Sequence, residues 1–237
     1  MSSFNFKQFT VNQDRCAMKI GTDAVLLGAW CPIDNNPYSI LDIGAGTGIL
    51  SLTLAQRSNA VQIDAIEIDE NAYEQCVENF ENSPWSDRLF CFHAGLDEFI
   101  DEPEDEYDLI ISNPPFYAEN YKTDNKSRDL ARFQDAMPFE KLIEAADLLL
   151  SEIGIFSVII PFNEEERFTD LCVAAELFPV KITRIKGSHN TPIVRSLLAF
   201  KRYELAVLEA DELVIEINRH EYTDDYINLT RDFYLKM

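Results

Sequence analysis

Apolar and polar positions along this chain of 237 residues switch repeatedly between two periods, and the switches lay out its elements. Short apolar runs bounded by turn residues predict buried strands over residues 38–43, 61–68, 89–93, 107–112 and 155–161. Helical spacing of apolar positions falls between them, over residues 47–57, 70–80, 96–100, 138–150 and 164–177, with Pro138 suited to a first helical turn. Residues 180–185 and 194–203 have no helix between them and read as an antiparallel pair. The tail offers one more strand, 212–217, and a helix over 224–236. Residues before 38 start irregularly, and 119–135 are polar with no apolar period, which predicts a mobile loop.

Strands alternating with helices imply an α/β fold, with a mostly parallel sheet covered on both faces. The closing antiparallel pair departs from a plain doubly wound sheet. The length suits a single domain over 1–237, with 1–37 as a covering segment and 204–237 as an extension. A hydrophobic content of 46% beside 26% charged residues is that of a folded globular protein. The longest apolar run, 153–162, falls far short of the roughly 20 residues of a membrane span. The first residues lack the basic and apolar regions of a signal peptide. Five widely spaced cysteines without a Cys-x-x-Cys pair predict reduced thiols in a cytoplasmic protein and no zinc site. His93, His189 and His220 are likewise far apart, so no metal is expected.

A net charge of −22 weighs against a nucleic-acid partner, because phosphate contacts need lysine and arginine. Its distribution reopens the question. Residues 97–108 hold eight acids and no base, whereas 179–203 hold six bases (Lys181, Arg184, Lys186, Arg195, Lys201 and Arg202) and no acid. A second basic cluster includes Arg128 and Arg132. Such stretches permit an RNA or DNA partner, and are equally compatible with chance on an acidic surface.

The first strand turns into its helix through Asp42-Ile43-Gly44-Ala45-Gly46-Thr47-Gly48. Glycines there let backbone approach a ligand closely. The dinucleotide fingerprint would need a third glycine where Ile49 stands, so that reading fails. The Asp-x-Gly-x-Gly-x-Gly form resembles motif I of class I methyltransferases, whose sheet also closes with such an antiparallel pair. The resemblance implies S-adenosylmethionine as cofactor, held at Asp42, Gly44, Ala45, Gly46 and Gly48. Glu67 ends the second strand, where a carboxylate can accept from both hydroxyls of a ribose, and Ile68 would pack on the adenine. Alone, either acid could equally be a helix cap or a solvated loop residue. The acid that the family often carries after its third strand falls here on Gly95 or Leu96, with Asp97 just beyond; this departs from the pattern.

Behind the fourth strand stands Asn113-Pro114-Pro115-Phe116. An amino group conjugated with an aromatic ring is a poor nucleophile. Hydrogen bonds from it to the Asn113 side-chain oxygen and the Pro114 carbonyl would favour a pyramidal nitrogen and aim its lone pair. The prolines stiffen the backbone and bring no competing N–H, and Phe116 offers a face for a flipped base. A rigid turn after a strand is the plainer alternative. The run resembles the signature of amino-methyltransferases acting on DNA adenine, ribosomal RNA guanine or protein glutamine, and does not choose among them.

The ends of the chain do. Phe4-x-Phe6-Lys7-Gln8-Phe9-Thr10, the run 16–23 with Lys19 and Gly21-Thr22-Asp23, the run 25–30, Tyr222-Thr223 and Asp232-Phe233-Tyr234-Leu235 resemble the bacterial tRNA1(Val) adenine-N6 methyltransferase family. The resemblance spans residues 4–235 and implies tRNA as partner, methylated on the adenine just 3′ of the anticodon. A glutamine-N5 or other amino-group methyltransferase is the alternative, although no room for the usual separate helical domain precedes residue 38. Asp23 could face the cofactor's sulfonium or ammonium and Thr22 supply a hydroxyl; either could instead cap the helix that follows. Lys19, Arg128, Arg132, Arg195, Lys201 and Arg202 are the candidate RNA contacts.

Overall fold

The computed structural model describes residues 3–101, 106–115 and 137–237. The start is more regular than its sequence suggests: β1 (Ser3–Asn5) and β2 (Thr10–Asn12) pair antiparallel. What orders them is tertiary. Phe6 and Phe9 stack at 4.7 Å and are buried beneath the hairpin. In α1 (Thr22–Trp30), Ala24 through Trp30 are all buried, as a helix apolar on every side must be. It presses on α2 (Ile49–Arg57) at Gly28, where an added Cβ would stand 2.8 Å from Thr53 Cγ2.

Alternating units follow: β3 (Ser39–Ile43) leads into α2, β4 (Gln62–Glu67) into α3 (Glu70–Glu81), and β5 (Leu89–His93) into the short α4 (Leu96–Ile100). After β6 (Tyr107–Ser112) come α5 (Phe139–Leu149), β7 (Leu150–Pro161) and α6 (Glu165–Ala174). The helix predicted to 177 ends early because Glu176 turns to φ +58°. β8 (Phe178–Ser188) and β9 (Ile193–Lys201) form the expected antiparallel pair.

The tail gives β10 (Glu209–Asn218), the two-residue β11 (Glu221–Tyr222) and α7 (Asp224–Thr230). This last helix is shorter than its apolar spacing predicts. It stops where the chain turns back and Tyr234 bridges to Phe6.

Nine strands among the described residues form one sheet in the order β11-β10-β8-β9-β7-β6-β3-β4-β5. β3 to β7 run parallel, β9 lies antiparallel between β7 and β8, and the tail adds β10, over the strand predicted at 212–217, and the short β11 beyond it. Alternation along β3 divides the core. Ile40 faces the layer with α1, α2 and the N-terminal hairpin; Leu41 and Ile43 face the layer with α5 and α6, where Phe156, Phe168 and Phe200 cluster. At one free edge, β5 turns Phe90 and Phe92 outward, 46% and 43% exposed. No described helix is long and apolar enough to cross a membrane.

Candidate active site

Four parallel strands bring the motif residues to one edge of the sheet. Ser112 of β6 pairs with Ile43 of β3, Ile43 with Ile66 of β4, and Glu67 with His93 of β5. Neighbouring strands lie about 5 Å apart, so the residues just after them form a compact row. The chain runs outward from β3 through β4 to β5, then crosses back to β6 on the other side of β3 and continues outward to β7. Such a switch point opens a crevice at the carboxyl ends of the strands.

The glycine loop lines this crevice. Gly44, Gly46 and Gly48 have φ of +76°, +55° and +78°, where other residues are strained by about 1–3 kcal/mol each. The Gly44 and Ala45 amides both donate to the Ile66 carbonyl at 3.0 Å, which pins the loop to β4. A Cβ added at Gly44 or Gly46 would meet nothing within 4 Å, so the loop presents a bare cradle. Gly48 is different: an added Cβ would fall 2.5 Å from Phe80 Cε1 and 2.8 Å from Cys76 Sγ. Its task is packing and starting α2.

Glu67 closes one end of the cradle. Its Oε2 accepts from the Gly46 amide at 2.8 Å and its Oε1 from the Asp69 amide at 2.9 Å. The helix cap that either acid might have been is Asp69, which accepts from Ala72 N at 2.8 Å. Ile68, next in the chain, is 73% exposed, an apolar side chain held out of the core at the crevice.

Asp42 departs from the expectation of a ligand contact. It is fully buried, and its Oδ2 accepts from Ser51 Oγ at 2.7 Å and Ser51 N at 3.1 Å. Burial pushes its carboxyl up to about 7, against the pull of both Ser51 bonds. Facing α2 rather than the cradle, it anchors the loop from below. Asp97 is exposed in α4 and ion-paired with Lys141 of α5.

Asn113 and Pro114 follow β6 directly. The buried Ser112 hydroxyl donates to the Ile43 carbonyl at 2.8 Å, locking the end of β6 to the start of the glycine loop. No sequence motif marks Ser51 or Ser112; only their places beside Asp42 and Asn113 could have drawn attention to them. Pro114 is buried and Asn113 half-buried, and the Asn113 side chain hydrogen-bonds to no described residue. An acceptor amide held by a rigid strand end, beside a bare glycine cradle, suits recognition of an amino group. Phe116, Arg128 and Arg132 lie outside the described residues.

Residues 31–161 match the methyltransferase small domain family. A tRNA1(Val) (adenine(37)-N6)-methyltransferase of Flavobacterium johnsoniae is 71% identical over 234 residues, covering 99% of this chain and 100% of its own. This chain belongs to the tRNA1(Val) (adenine(37)-N6)-methyltransferase family. In fold it is similar to a predicted O-methyltransferase of Agrobacterium tumefaciens (TM-score 0.70, 20% identity, 89% of this chain and 96% of that one). It is also similar to a 16S rRNA N2 methyltransferase of T. thermophilus solved with AdoMet and guanosine (TM-score 0.57, 17% identity, 85% and 50%).

The rest of the methyltransferase's expected contacts are rearranged by tertiary pairing. Neither Thr22 nor Asp23 caps α1: the N-cap is Gly21, without a side-chain bond. Asp23 instead pairs with Arg195 Nε at 2.8 Å, tying α1 to the start of β9. Thr22 is exposed, and Lys19 donates to the Gln13 carbonyl.

The basic hairpin is no open phosphate surface. Arg202 donates to the Leu150 carbonyl (Nε 3.1 Å, Nη2 3.0 Å) and to Asp147 Oδ1 at 2.7 Å, closing the end of α5. Lys201 lies over the Tyr203 ring, 5.6 Å from its centre. Arg184 grips Glu165 with its Nε and Nη2, and β10 brings Glu209 and Glu212 beside Lys181 and Lys186 at 3.7 and 2.7 Å. A run without acids in sequence thus has five of its six bases in ion pairs in space. Arg195 and Arg202, candidate RNA contacts by sequence, are both engaged in these pairs.

Proposed function

We propose that this methyltransferase moves the methyl group of S-adenosylmethionine to N6 of an adenine in tRNA, and more narrowly to adenine 37 of tRNA1(Val), as its relatives are named. The observation that carries the reading is the placement of Asn113-Pro114 at the strand end locked by Ser112 to the glycine loop. The residues fit the cofactor. The bare cradle at Gly44 and Gly46 admits close approach, and Ile68 offers an apolar face to its adenine. A carboxylate has about four lone-pair sites, so Glu67, using two, can still accept from ribose hydroxyls. Bound there, S-adenosylmethionine supplies an electrophilic methyl on a sulfonium. Thr22 and Asp23, at the start of α1, remain candidates for its methionine end, with Asp23 already neutralised by Arg195.

Asn113 Oδ1 and the Pro114 carbonyl accept from the substrate amine and hold its lone pair in line. Neither is a base that could remove a proton beforehand, so their contribution is orientation and electrostatics. Single, well-placed hydrogen-bonding groups of this kind are worth roughly 100- to 1,000-fold in rate. Methyl-labelled cofactor incubated with total tRNA should yield N6-methyladenosine on nucleoside analysis. Asn113→Ala should lose that transfer by about this factor while cofactor affinity stays unchanged. Label appearing in protein and not in tRNA would overturn the proposal.

A further inference from the structure

A second cavity, of about 530 Å³, opens between the two ends of the chain. Phe4, Tyr222, Tyr226 and Tyr234 supply aromatic walls, with Gly21 and Thr22 along one side and Lys236 among the lining residues. Gly44, Gly46, Glu67 and Asn113 are not among its lining residues, whereas Thr22, a candidate for the cofactor's methionine end, is, so the cavity adjoins the crevice at the start of α1.

We propose that this cavity takes an unstacked nucleobase of the substrate RNA, at a nucleotide other than the one methylated. The inference rests on the tRNA reading above and deepens it. Three features converge on this ligand class. Phe4, Tyr222 and Tyr234, all partly exposed, offer ring surface on which single-stranded bases stack, with the buried Tyr226 behind them, and stacking tolerates any base. The Tyr222 and Tyr226 rings lie 5.1 Å apart, and Phe4 meets Tyr234 edge-on at 6.1 Å, so the walls are mutually braced. A polar group suited to a base edge is present as well. Asn5 accepts from Thr10 through Oδ1 at 2.9 Å, which leaves its amide NH₂ as a donor. Lastly, Lys236 is among the lining residues, and the uncapped first turn of α1, where Asp23 is paired to Arg195, lies at the same cavity; both favour a phosphate at the rim.

The location fits a strand running past the catalytic crevice. Asp23, two residues beyond Gly21, is paired to Arg195, and Arg195 stands opposite Pro161 at the carboxyl end of β7. The cavity therefore borders the edge of the sheet where the methyl acceptor must sit, on the side covered by α1 and α7. A tRNA loop entering that edge would carry its neighbouring nucleotides across this opening.

The test fills the cavity instead of cutting away its walls. Gly21 has φ −106°, open to any residue, and a Cβ there meets nothing within 4 Å, so Gly21→Phe can fold with its ring in the cavity. The probe is a single-stranded RNA carrying the anticodon loop with 5-iodouridine at positions flanking the target adenine, photocrosslinked and mapped by mass spectrometry. Adducts should appear on Tyr222 or Tyr234 in the wild type and vanish in Gly21→Phe. The variant's KM for tRNA should rise about tenfold to a hundredfold, the range that loss of one stacked base gives, with its KM for cofactor unchanged. Tyr222→Ala gives an independent second reading with the same expected rise. Adducts confined to other residues, or a Gly21→Phe enzyme with wild-type KM for tRNA, would overturn the cavity's role while the wild type still methylates tRNA. A rise in KM for cofactor alone would assign the cavity to the cofactor and also overturn it. A wild type that leaves tRNA unmethylated removes the functional reading itself.

Discussion

Replacing Gly48 by alanine separates the two jobs of the glycine loop. At φ +78° a non-glycine residue is strained by about 1–2 kcal/mol. The new Cβ also falls 2.5 Å from Phe80 and 2.8 Å from Cys76, both buried in the core, and overpacking of that kind costs about 1–3 kcal/mol. Together these remove roughly 2–5 kcal/mol from a domain whose whole stability is of order 5–15 kcal/mol. Gly46→Ala is the natural control. It has φ +55° and open space around it, so its stability should fall only by the backbone strain of about 1–2 kcal/mol. Its methyl, however, stands in the cradle, so cofactor affinity should drop. Urea denaturation followed by the fluorescence of the two tryptophans, with titration calorimetry for the cofactor, measures both. Gly48→Ala should shift the urea midpoint well beyond the shift of Gly46→Ala, at unchanged slope. Equal midpoints for the two variants would refute the reasoning.

Two further outcomes follow from the buried and paired charges. The raised Asp42 binds its proton more tightly in the folded chain than in the unfolded one. Stability should therefore fall as pH rises from about 4 to 7, by at most about 4 kcal/mol from this group. Asp42→Asn should flatten that slope, and a melting temperature that tracks the wild type across the window would refute the assignment. Arg202→Ala should lower stability by about 1–3 kcal/mol through lost bonds to the Leu150 and Asp147 groups, yet leave the KM for tRNA within twofold. A tenfold rise in that KM without loss of stability would restore Arg202 to the RNA surface.

The central sheet was legible because short apolar runs and glycine turns are local signals. Three elements, Leu89–His93, Leu96–Ile100 and Tyr107–Ser112, have the predicted bounds. So was the row of Gly44, Glu67 and Asn113, since each stands at or just after the end of a parallel strand. The failures share a cause. The Ser3–Asn5 and Thr10–Asn12 pair is too short to show a period and exists because Phe6 and Phe9 have a core to enter. The bases of residues 181–202 look unopposed until β10 and α6 supply Glu209, Glu212 and Glu165 from elsewhere in the chain. Asp23 and Arg195 stand 172 positions apart, and nothing in either neighbourhood announces the other. Pairing of charge is a property of the fold, and composition along the chain does not contain it.

The outer strand β5 gives the acidity of the whole chain a physical consequence. An edge strand shows unpaired backbone groups, and this one adds Phe90 and Phe92, an invitation to strand-on-strand pairing between copies. At neutral pH the charge of −22 supplies colloidal repulsion that opposes such encounters. Near the isoelectric point of about 4.4 that repulsion vanishes while the edge remains, so precipitation on mild acidification should begin there.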